Sequence, residues 1–225
     1  ISKGHTVIGT GRRQEKLDEL QTQLGDNFIP LNFDVSDLPA TKTALQTLPT
    51  DLRNHIDVLV NNAGLALGLE PADKTDFADW QQMVNTNILG LIHLTHEILP
   101  LMVANNDGYI INLSSTAGNY PYFGGNVYGA TKAFVTQFSL NLRADLVGKN
   151  IRVSNIEPGL CGGTEFSNIR FHGDDAKAAQ VYDSVQYVTP QDIANMVAWL
   201  IEQPKHVNIN RIEVMPTAQT FAGLK

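Results

Sequence analysis

The chain has 225 residues, 43% hydrophobic and 17% charged, with a formal net charge of −7. This length suits one α/β domain with a sizeable core, so a single domain spanning 1–225 is predicted. Nucleic acids and anionic membranes both require a basic protein surface, so the acidic balance argues against either as a partner. Small molecules are the expected partners.

The sequence also bears on compartment and membrane association. The single cysteine, Cys161, cannot form an intramolecular disulfide, which favours a reducing compartment such as the cytoplasm. The longest apolar stretch, 88–104, is interrupted by two histidines, a glutamate and a proline. It therefore falls short of the roughly 18 uninterrupted apolar residues of a membrane span, and it predicts a core helix.

Short apolar runs rich in Val and Ile alternate with longer amphipathic runs, which predicts βαβ units. In chain order the predicted elements are strand 6–10, helix 14–24, strand 28–33, helix 39–48, strand 56–61, helix 76–104 with an interruption near Pro100, strand 109–114, helix 128–147, strand 151–156, helix 190–202 and strand 211–215. Near-continuous apolar strands need a sheet covered on both faces. The predicted fold class is therefore α/β, a Rossmann-type doubly wound parallel sheet with helices on both faces.

Ligands of such a sheet bind at the carboxyl ends of the strands, so the segments that follow predicted strands are candidate site segments. NNAG, at 61–64, would let a flat ligand approach the backbone, but an ordinary turn explains it equally well. NLSSTAG, at 112–118, places two serines at a strand exit, although serines are common in turns. EPGLCGGTEF, at 157–166, suits a loop that wraps a ligand, and turn chemistry explains it too.

The stretch NVYGATKAF places Tyr128 four residues before Lys132. Apolar residues recur every three or four positions over 127–146 and predict a helix, so the two side chains share one face. A phenol with a pKa near 10 is a poor acid or base at neutral pH, but a nearby ammonium favours the phenolate and lowers that pKa. The spacing alone is weak evidence, because a chance match is expected in roughly a quarter of chains of this composition.

Together, NNAG, a strand-end serine and Y-x-x-x-K, with Ser115 thirteen residues before Tyr128, resemble the short-chain dehydrogenase/reductase family. The runs VNNAGLALG, GGNVYGATKAFV, QFSLNLR, IEPGL, GGTEFSN and HVNIN are similar to its bacterial NADP-dependent 3-hydroxy acid dehydrogenases, and this likeness spans nearly the whole chain. The resemblance implies an NADP-dependent oxidoreductase, with 3-hydroxypropionate or malonic semialdehyde, serine and allo-threonine as substrates. It also implies a homotetramer.

The resemblance implies that Tyr128 is the general acid/base, that Lys132 lowers its pKa and holds the nicotinamide ribose, and that Ser115 orients the substrate oxygen. Hydride transfer independently requires such groups, because the alcohol proton must leave with the hydride. The family's fourth member, an asparagine in an N-x-x-G run, matches Asn87 and would hold a water behind the lysine. Asn85 lies in poorer register. Because asparagine is mildly unfavourable inside a helix, a purely structural role for Asn87 is less favoured.

The segment VIGTGRR, at 7–13, ends the first predicted strand, where a dinucleotide fold recognises the adenosine ribose. Arg12 and Arg13 predict NADP, because arginine accommodates a 2′-phosphate whereas NAD would favour a carboxylate. Alternatively, two arginines that open a surface helix are merely solvated. The resemblance places Asp34 and Val35 beside the adenine. The other cofactor contacts that it implies are Asn62, Ala63, Gly64, Tyr128, Lys132, Pro158, Gly159, Leu160, Gly163, Thr164 and Phe166.

The sequence predicts no metal, because HLTHE, at 93–97, fits neither metalloprotease pattern and no third ligand is evident. The substrate stays open. Arg170, His172 and Lys177 would suit a carboxylate, but surface loops normally carry such charges. Another small carbonyl substrate and a non-catalytic NADP-sensing protein are the alternatives, although both Tyr128 and Lys132 are present.

The first residues, ISKGHTV, predict the end of a helix with Gly4 as its cap. Since the family opens with a strand and a T-G-x-x-x-G-x-G turn that holds the pyrophosphate, we expect about 20 residues upstream. That strand would lie between strands 6–10 and 56–61. The 225 residues alone are therefore expected to fold poorly and to bind NADP weakly.

Overall fold

The computed structural model describes residues 1–183, 185–221 and 223–224. The chain divides into two compact units, Ile1–His55 and Ile56–Lys225, and each is described by itself. The prediction of a single domain stays a prediction, as does that of a strand upstream of residue 1.

The first unit is a two-stranded parallel sheet with helices. Its elements are β1 (Val7–Gly11), α1 (Gln14–Leu24), a 3₁₀ turn (Gly25–Asn27), β2 (Phe28–Asn32), α2 (Leu38–Thr47) and α3 (Thr50–Asn54). Val7 pairs with Phe28 at one end and Gly11 with Asn32 at the other. The Phe28 ring packs directly over Gly9, where a side chain would leave no room for it. α2 begins at Asp37, whose carboxylate accepts a hydrogen bond from the amide of Ala40.

The second unit contains a four-stranded parallel sheet in the order β3-β4-β5-β6. Its strands are β3 (Val58–Asn61), β4 (Gly108–Leu113), β5 (Ile151–Pro158) and β6 (Arg211–Val214), and a short antiparallel pair joins β7 (Gln219–Thr220) to β8 (Gly223–Leu224). Every residue of β4 is buried, as expected of a central strand covered on both faces. The carboxyl ends of β3 and β4 are in register, since Asn61 lies opposite Asn112.

The helices of the second unit are α4 (Phe77–Val84), α5 (Leu91–Asn105), α6 (Asn126–Asp145), α7 (Phe166–Arg170), α8 (Asp175–Gln180) and α9 (Pro190–Glu202), with 3₁₀ turns at Ala72–Lys74 and Thr116–Gly118. α9 begins as predicted, with Pro190 in its first turn. Thr189 and Asp192 form a reciprocal capping box there, which satisfies amide donors that the first turn leaves unpaired.

The long predicted helix is interrupted, but not where the sequence indicated. Pro100 lies inside α5, and the departure from α geometry is a π-helical turn at Asn85–Gly90 between α4 and α5. The side chain of Asn87, which is buried in this turn, takes up hydrogen bonds from elsewhere in the unit. The prediction of an interruption near Pro100 was therefore wrong, because a polar contact outside the helix decides where the helix is irregular.

The helical stretch Phe77–Asn105 is long and apolar enough to cross a membrane by length and composition alone. One such helix is weak evidence for a span, because the core helix of a soluble protein meets the same criteria. Its α5 portion packs against β3 and β4 and buries Leu91, Ile98 and Met102. These contacts favour the predicted core helix, and the absence of a membrane partner stays a prediction.

Candidate active site

A cavity of about 720 Å³ opens at the carboxyl ends of β4 and β5 in the second unit. Because all four strands of that sheet are parallel, the segments that leave them meet at this edge, together with the first turns of α6. Three of the four predicted catalytic residues line the cavity, namely Ser115, Tyr128 and Lys132.

Ser115 and Tyr128 meet across the mouth of the cavity. The Ser115 side chain is a polar neighbour of the Tyr128 phenol and acts to lower its pKa. Two backbone groups hold the Ser115 side chain in place. Its hydroxyl accepts a hydrogen bond from the amide of Ala117 at 3.1 Å and donates one to the carbonyl of Pro158 at 3.2 Å. The hydroxyl therefore sits between the turn after β4 and the end of β5.

Lys132 lies one helical turn beyond Tyr128 on α6, as the spacing predicted. Its ammonium donates to the carbonyl of Leu113 at 2.9 Å and lies 5.9 Å from the centre of the Tyr128 ring. Only 5% of the residue is exposed. A Cβ atom added at Gly64 would lie 3.2 Å from the ammonium nitrogen, so the NNAG turn approaches Lys132 as closely as only glycine comfortably allows.

Burial dominates the acid-base properties of this pair. It raises the pKa of Tyr128 to about 12, although the neighbouring Ser115 side chain and the charge of Arg170 act in the opposite direction. Burial also lowers the pKa of Lys132 to about 8, because an ammonium loses hydration there. Desolvation of the phenolate thus outweighs the groups that lower the pKa of Tyr128. The contribution predicted for Lys132 stays a prediction.

Asn87 lies behind the NNAG turn and is 1% exposed. Its amide donates to the carbonyl of Leu65 at 2.8 Å and to the hydroxyl of Thr131 at 3.0 Å, and its oxygen accepts from the amide of Leu65 at 2.9 Å. Asn85, at the start of the same turn, is not buried. Asn87 thus ties the segment after β3 to α6, whereas its predicted role in holding a water stays a prediction.

A buried polar network that the sequence did not indicate lies beneath the predicted catalytic side chains. The Ser114 hydroxyl donates to the carbonyl of Lys132 at 2.6 Å and accepts from Thr136 at 3.0 Å. The Thr136 hydroxyl also lies 3.2 Å from a carboxylate oxygen of Glu157, which is fully buried and accepts two hydrogen bonds from Arg211 at 2.8 and 2.7 Å.

The ion pair of Glu157 with Arg211 explains why a charge is tolerated in β5. Burial alone would raise the pKa of Glu157, but the hydrogen bonds from Arg211 and Asn119 outweigh it and the pKa is lowered. The sequence feature that could have indicated this ion pair is the glutamate in the strand IRVSNIEP. A carboxylate buried in a strand needs a partner that is buried with it. From the sequence pattern, that glutamate was expected in the loop that follows β5.

Several predicted cofactor contacts also line the cavity, whereas Ala63 and Gly163 are not among its lining residues. Those that do are Asn62, Gly64, Tyr128, Lys132, Pro158, Gly159, Leu160, Thr164 and Phe166. Cys161 lies there too, and burial raises the pKa of its thiol, so the thiol is not activated as a nucleophile.

The predicted adenosine contacts lie in the first unit. The guanidinium of Arg12 and the carboxylate of Asp34 form an ion pair at 3.6 Å, in which 58% and 37% of the side chains are exposed. Burial would raise the pKa of Asp34, but hydrogen bonds from Ser36 and the charge of Arg12 outweigh it and the pKa is lowered. Arg13 precedes the first residue of α1, and the pairing of Arg12 with Asp34 was not foreseen.

The histidines of HLTHE both face one carboxylate. His93 and His96 lie 3.7 and 3.9 Å from the same oxygen of Glu97. Within 1–183, 185–221 and 223–224, no group of three or more metal-ligating side chains is suitably clustered.

A sequence model of the family described as short chain dehydrogenase matches residues 1–174. The chain belongs to this family. The match confirms the resemblance on which the site residues were assigned, while the individual roles of those residues stay predictions.

Relatives match this dehydrogenase over its whole length. A Haemophilus influenzae protein named "Probable NADP-dependent dehydrogenase" is 68% identical over 100% of this chain and 88% of its own. The NADP-dependent 3-hydroxy acid dehydrogenase of Escherichia coli K12 is 56% identical over 100% of this chain and 90% of its own. The serine 3-dehydrogenase of Rhizobium radiobacter is 52% identical over 100% and 89%.

Solved structures agree with these sequence matches. The closed form of a serine dehydrogenase complexed with NADP⁺ is 56% identical, covers 100% of this dehydrogenase and 90% of its own chain, and superposes with a TM-score of 0.96. The predicted α/β fold class of Rossmann type is thereby confirmed.

Proposed function

We propose that this dehydrogenase transfers a hydride between NADP and the alcohol or carbonyl carbon of a small 3-hydroxy acid. The observation that carries the proposal is the meeting of Ser115, Tyr128 and Lys132 at one cavity. The relatives that match the whole chain support the cofactor and the substrate class.

The residues of the cavity fit the nicotinamide end of the cofactor. Gly64 leaves an open face beside the Lys132 ammonium, where an added Cβ atom would come within 3.2 Å of the nitrogen. Lys132 would hold the ribose hydroxyls there, and Pro158, Gly159 and Thr164 would lie along the cofactor. When bound, NADP accepts or supplies the hydride.

The chain's own side chains handle the proton and the substrate oxygen. Ser115 donates a hydrogen bond that orients that oxygen, and Tyr128 takes up or returns the hydroxyl proton. Because burial raises the pKa of Tyr128 to about 12, the residue is a phenol at neutral pH and is ready to act as the acid in carbonyl reduction. In the oxidation direction the base is the phenolate, which takes up the hydroxyl proton and becomes the phenol, so the cations at the cavity must stabilise the phenolate before the reaction.

We expect Arg12 and Arg13 to bind the 2′-phosphate on the adenosine ribose of NADP. A guanidinium binds a 2′-phosphate with charge-assisted hydrogen bonds, whereas the unphosphorylated ribose of NAD offers only hydroxyls. The partial exposure of the Arg12 side chain supports a role in binding a solvent-facing phosphate.

The test is a spectroscopic assay in which the purified protein is mixed with NADP and a panel of 3-hydroxypropionate, serine and allo-threonine. Appearance of the absorbance of reduced nicotinamide with at least one of these acids is expected, as is weaker activity with NAD. Simple secondary alcohols in the same panel test the alternative of another small carbonyl substrate. Binding of NADP without turnover of any substrate would favour the NADP-sensing alternative and contradict the proposal.

By resemblance to the family we also expect a homotetramer, and from the single cysteine we expect a reducing compartment such as the cytoplasm. Apolar side chains on α6 support self-association, since Phe134 stacks on Phe138 at 5.8 Å between ring centres and is 37% exposed. Light scattering of the purified protein tests the tetramer.

A further inference from the structure

The charge of the cavity is unlike that of the chain. The described residues that line it include two cationic side chains, Lys132 and Arg170, and no aspartate or glutamate. The whole chain carries a net charge of −7. A cavity with this lining, in a protein of net negative charge, favours an anionic ligand.

The two cations have different surroundings. Lys132 is directed to the carbonyl of Leu113 at 2.9 Å, next to the NNAG turn where the nicotinamide ribose is expected. Arg170 ends α7, and its guanidinium carbon lies 5.7 Å from the centre of the Tyr128 ring. Arg170 is therefore the cation available to a substrate whose reacting oxygen contacts Tyr128.

Arg170 is held in place before any ligand binds. Its Nε donates to the carbonyl of Gly68 at 3.2 Å, and its own carbonyl accepts from the amide of Gly68 at 2.8 Å. Its Nη2 donates to the hydroxyl of Tyr122 at 2.8 Å. Among the residues that the structure describes, Nη1 makes no hydrogen bond and no carboxylate pairs with the guanidinium. A fixed guanidinium with spare donors binds a carboxylate at a low cost in entropy.

The other two candidates that the sequence offered already have acidic partners. His172 lies 3.1 Å from Asp79, and Lys177 lies 3.5 Å from Asp174. Neither of them lines the cavity. Of the three candidates, only Arg170 faces the proposed reaction centre.

We propose that Arg170 binds the carboxylate of the substrate and thereby selects acids over neutral alcohols, an inference that rests on the proposed function. In a 3-hydroxy acid, one methylene separates the carboxylate from the carbon that exchanges the hydride. We expect the carboxylate to contact Arg170 while the hydroxyl contacts Tyr128 and Ser115. Shortening the acid by that methylene removes this match, so 3-hydroxy acids are favoured over 2-hydroxy acids.

The kinetic test compares 3-hydroxybutyrate with its uncharged amide. In Arg170→Met, kcat/KM for the acid should fall by about 10- to 100-fold, the range expected for charge-assisted hydrogen bonds, while kcat/KM for the amide stays within a few-fold. Arg170→Lys should recover part of the preference for the acid, because lysine keeps the positive charge but lacks the planar guanidinium that binds a carboxylate through two N–H groups. Lys177→Met, which alters an exposed cation outside the cavity, should leave the acid-to-amide ratio unchanged.

An unchanged acid-to-amide ratio in Arg170→Met would overturn the inference. An equal loss of kcat/KM for both compounds gives that ratio, and it would mean that Arg170 acts through its charge on Tyr128 or through the fold. A calorimetric titration of the NADP-loaded protein with butyrate and with butyramide separates this inference from the proposed function, because it needs no turnover. Weaker butyrate binding by Arg170→Met, with butyramide unaffected, supports the carboxylate site even if no acid is oxidised. Equal butyrate binding by the variant and the parent protein rejects it.

Discussion

The Lys132 ammonium and the Leu113 carbonyl are joined by a hydrogen bond of 2.9 Å in a nearly water-free setting. One neutral carbonyl does not replace the hydration that the ammonium loses on folding. Burial accordingly lowers the pKa of Lys132 from 10.5 to about 8. The protein therefore maintains a cation at this position at a cost in stability, which is expected where the charge serves binding or catalysis.

Lys132→Met should stabilise the ligand-free protein at neutral pH. Because the folded-state pKa lies below the unfolded value, the unfolded chain binds more protons between pH 8 and 10.5, and the parent protein gains stability as the pH rises through that window. The variant lacks this gain, so its advantage of roughly 3 kcal/mol at neutral pH should shrink towards pH 10.5. Urea unfolding across the window measures it. A constant difference between the two proteins would show that Lys132 is not the titrating group.

Tyr128→Phe should lower kcat by about 10²- to 10⁴-fold, because the variant lacks the hydroxyl that exchanges the proton with the substrate. The affinity for NADP should change little, since the ring and its packing against Phe166 are kept. Tyr187→Phe is the matched control, because Tyr187 is not among the residues that line the cavity. Steady-state kinetics and a cofactor titration provide the measurements, and near-normal kcat in Tyr128→Phe would contradict the mechanism.

Replacing both Arg12 and Arg13 by glutamine should raise the Kd for NADP far more than the Kd for NAD. The reason is that only NADP presents a 2′-phosphate, whose charge-assisted hydrogen bonds are lost, at about 1.5 to 3 kcal/mol each. Fluorescence titration with both cofactors gives the comparison, with Arg53→Gln as the control in the same unit. An equal loss of affinity for both cofactors would remove these residues from phosphate recognition.

Gly118→Ala should impair catalysis because a Cβ atom there would lie 2.7 Å from the backbone nitrogen of Ala133 and the carbonyl carbon of Lys132. Backbone atoms cannot rotate away as a flexible side chain can, so the turn that carries Ser115 must move off α6. We expect a loss of about 1 to 3 kcal/mol of stability and a marked fall in kcat.

Gly148→Ala is the control for that substitution. Its φ of +84° makes alanine strained, but an added Cβ atom would meet nothing within 4 Å. This variant should lose some stability and keep kcat. If kcat is equal in the two variants, the close approach of the turn to α6 is not needed for activity.

The sequence predicted the secondary structure best where a periodic pattern of apolar residues extends over many positions. The bounds of α1 and α9 agree with the predicted ones, because periodicity and caps mark long helices. The five-residue helices α3 and α7 were missed, since they are too short to show a period.

The site could be predicted where its residues recur at a fixed spacing in the sequence. It could not be predicted where side chains from different strands and helices contact one another. Ser115, Tyr128 and Lys132 come together as expected. The partnership of Glu157 with Arg211 was not foreseen, because it joins two strands through side chains far apart in sequence. The rise that burial causes in the pKa of Tyr128 was not foreseen, because spacing indicates a neighbouring charge but not the depth of burial that opposes it.

Because a π-helical turn lies at Asn85–Gly90, the position of Asn87 depends on the number of residues between α4 and α5. A π turn holds one residue more than an α turn, so deleting a single exposed residue there, such as Leu89, would allow α4 and α5 to merge into one regular helix. The helix would survive this deletion, but Asn87 would rotate away from Leu65 and Thr131. Natural variation in length at this turn is therefore expected to separate chains that keep the fold from chains that keep the catalysis.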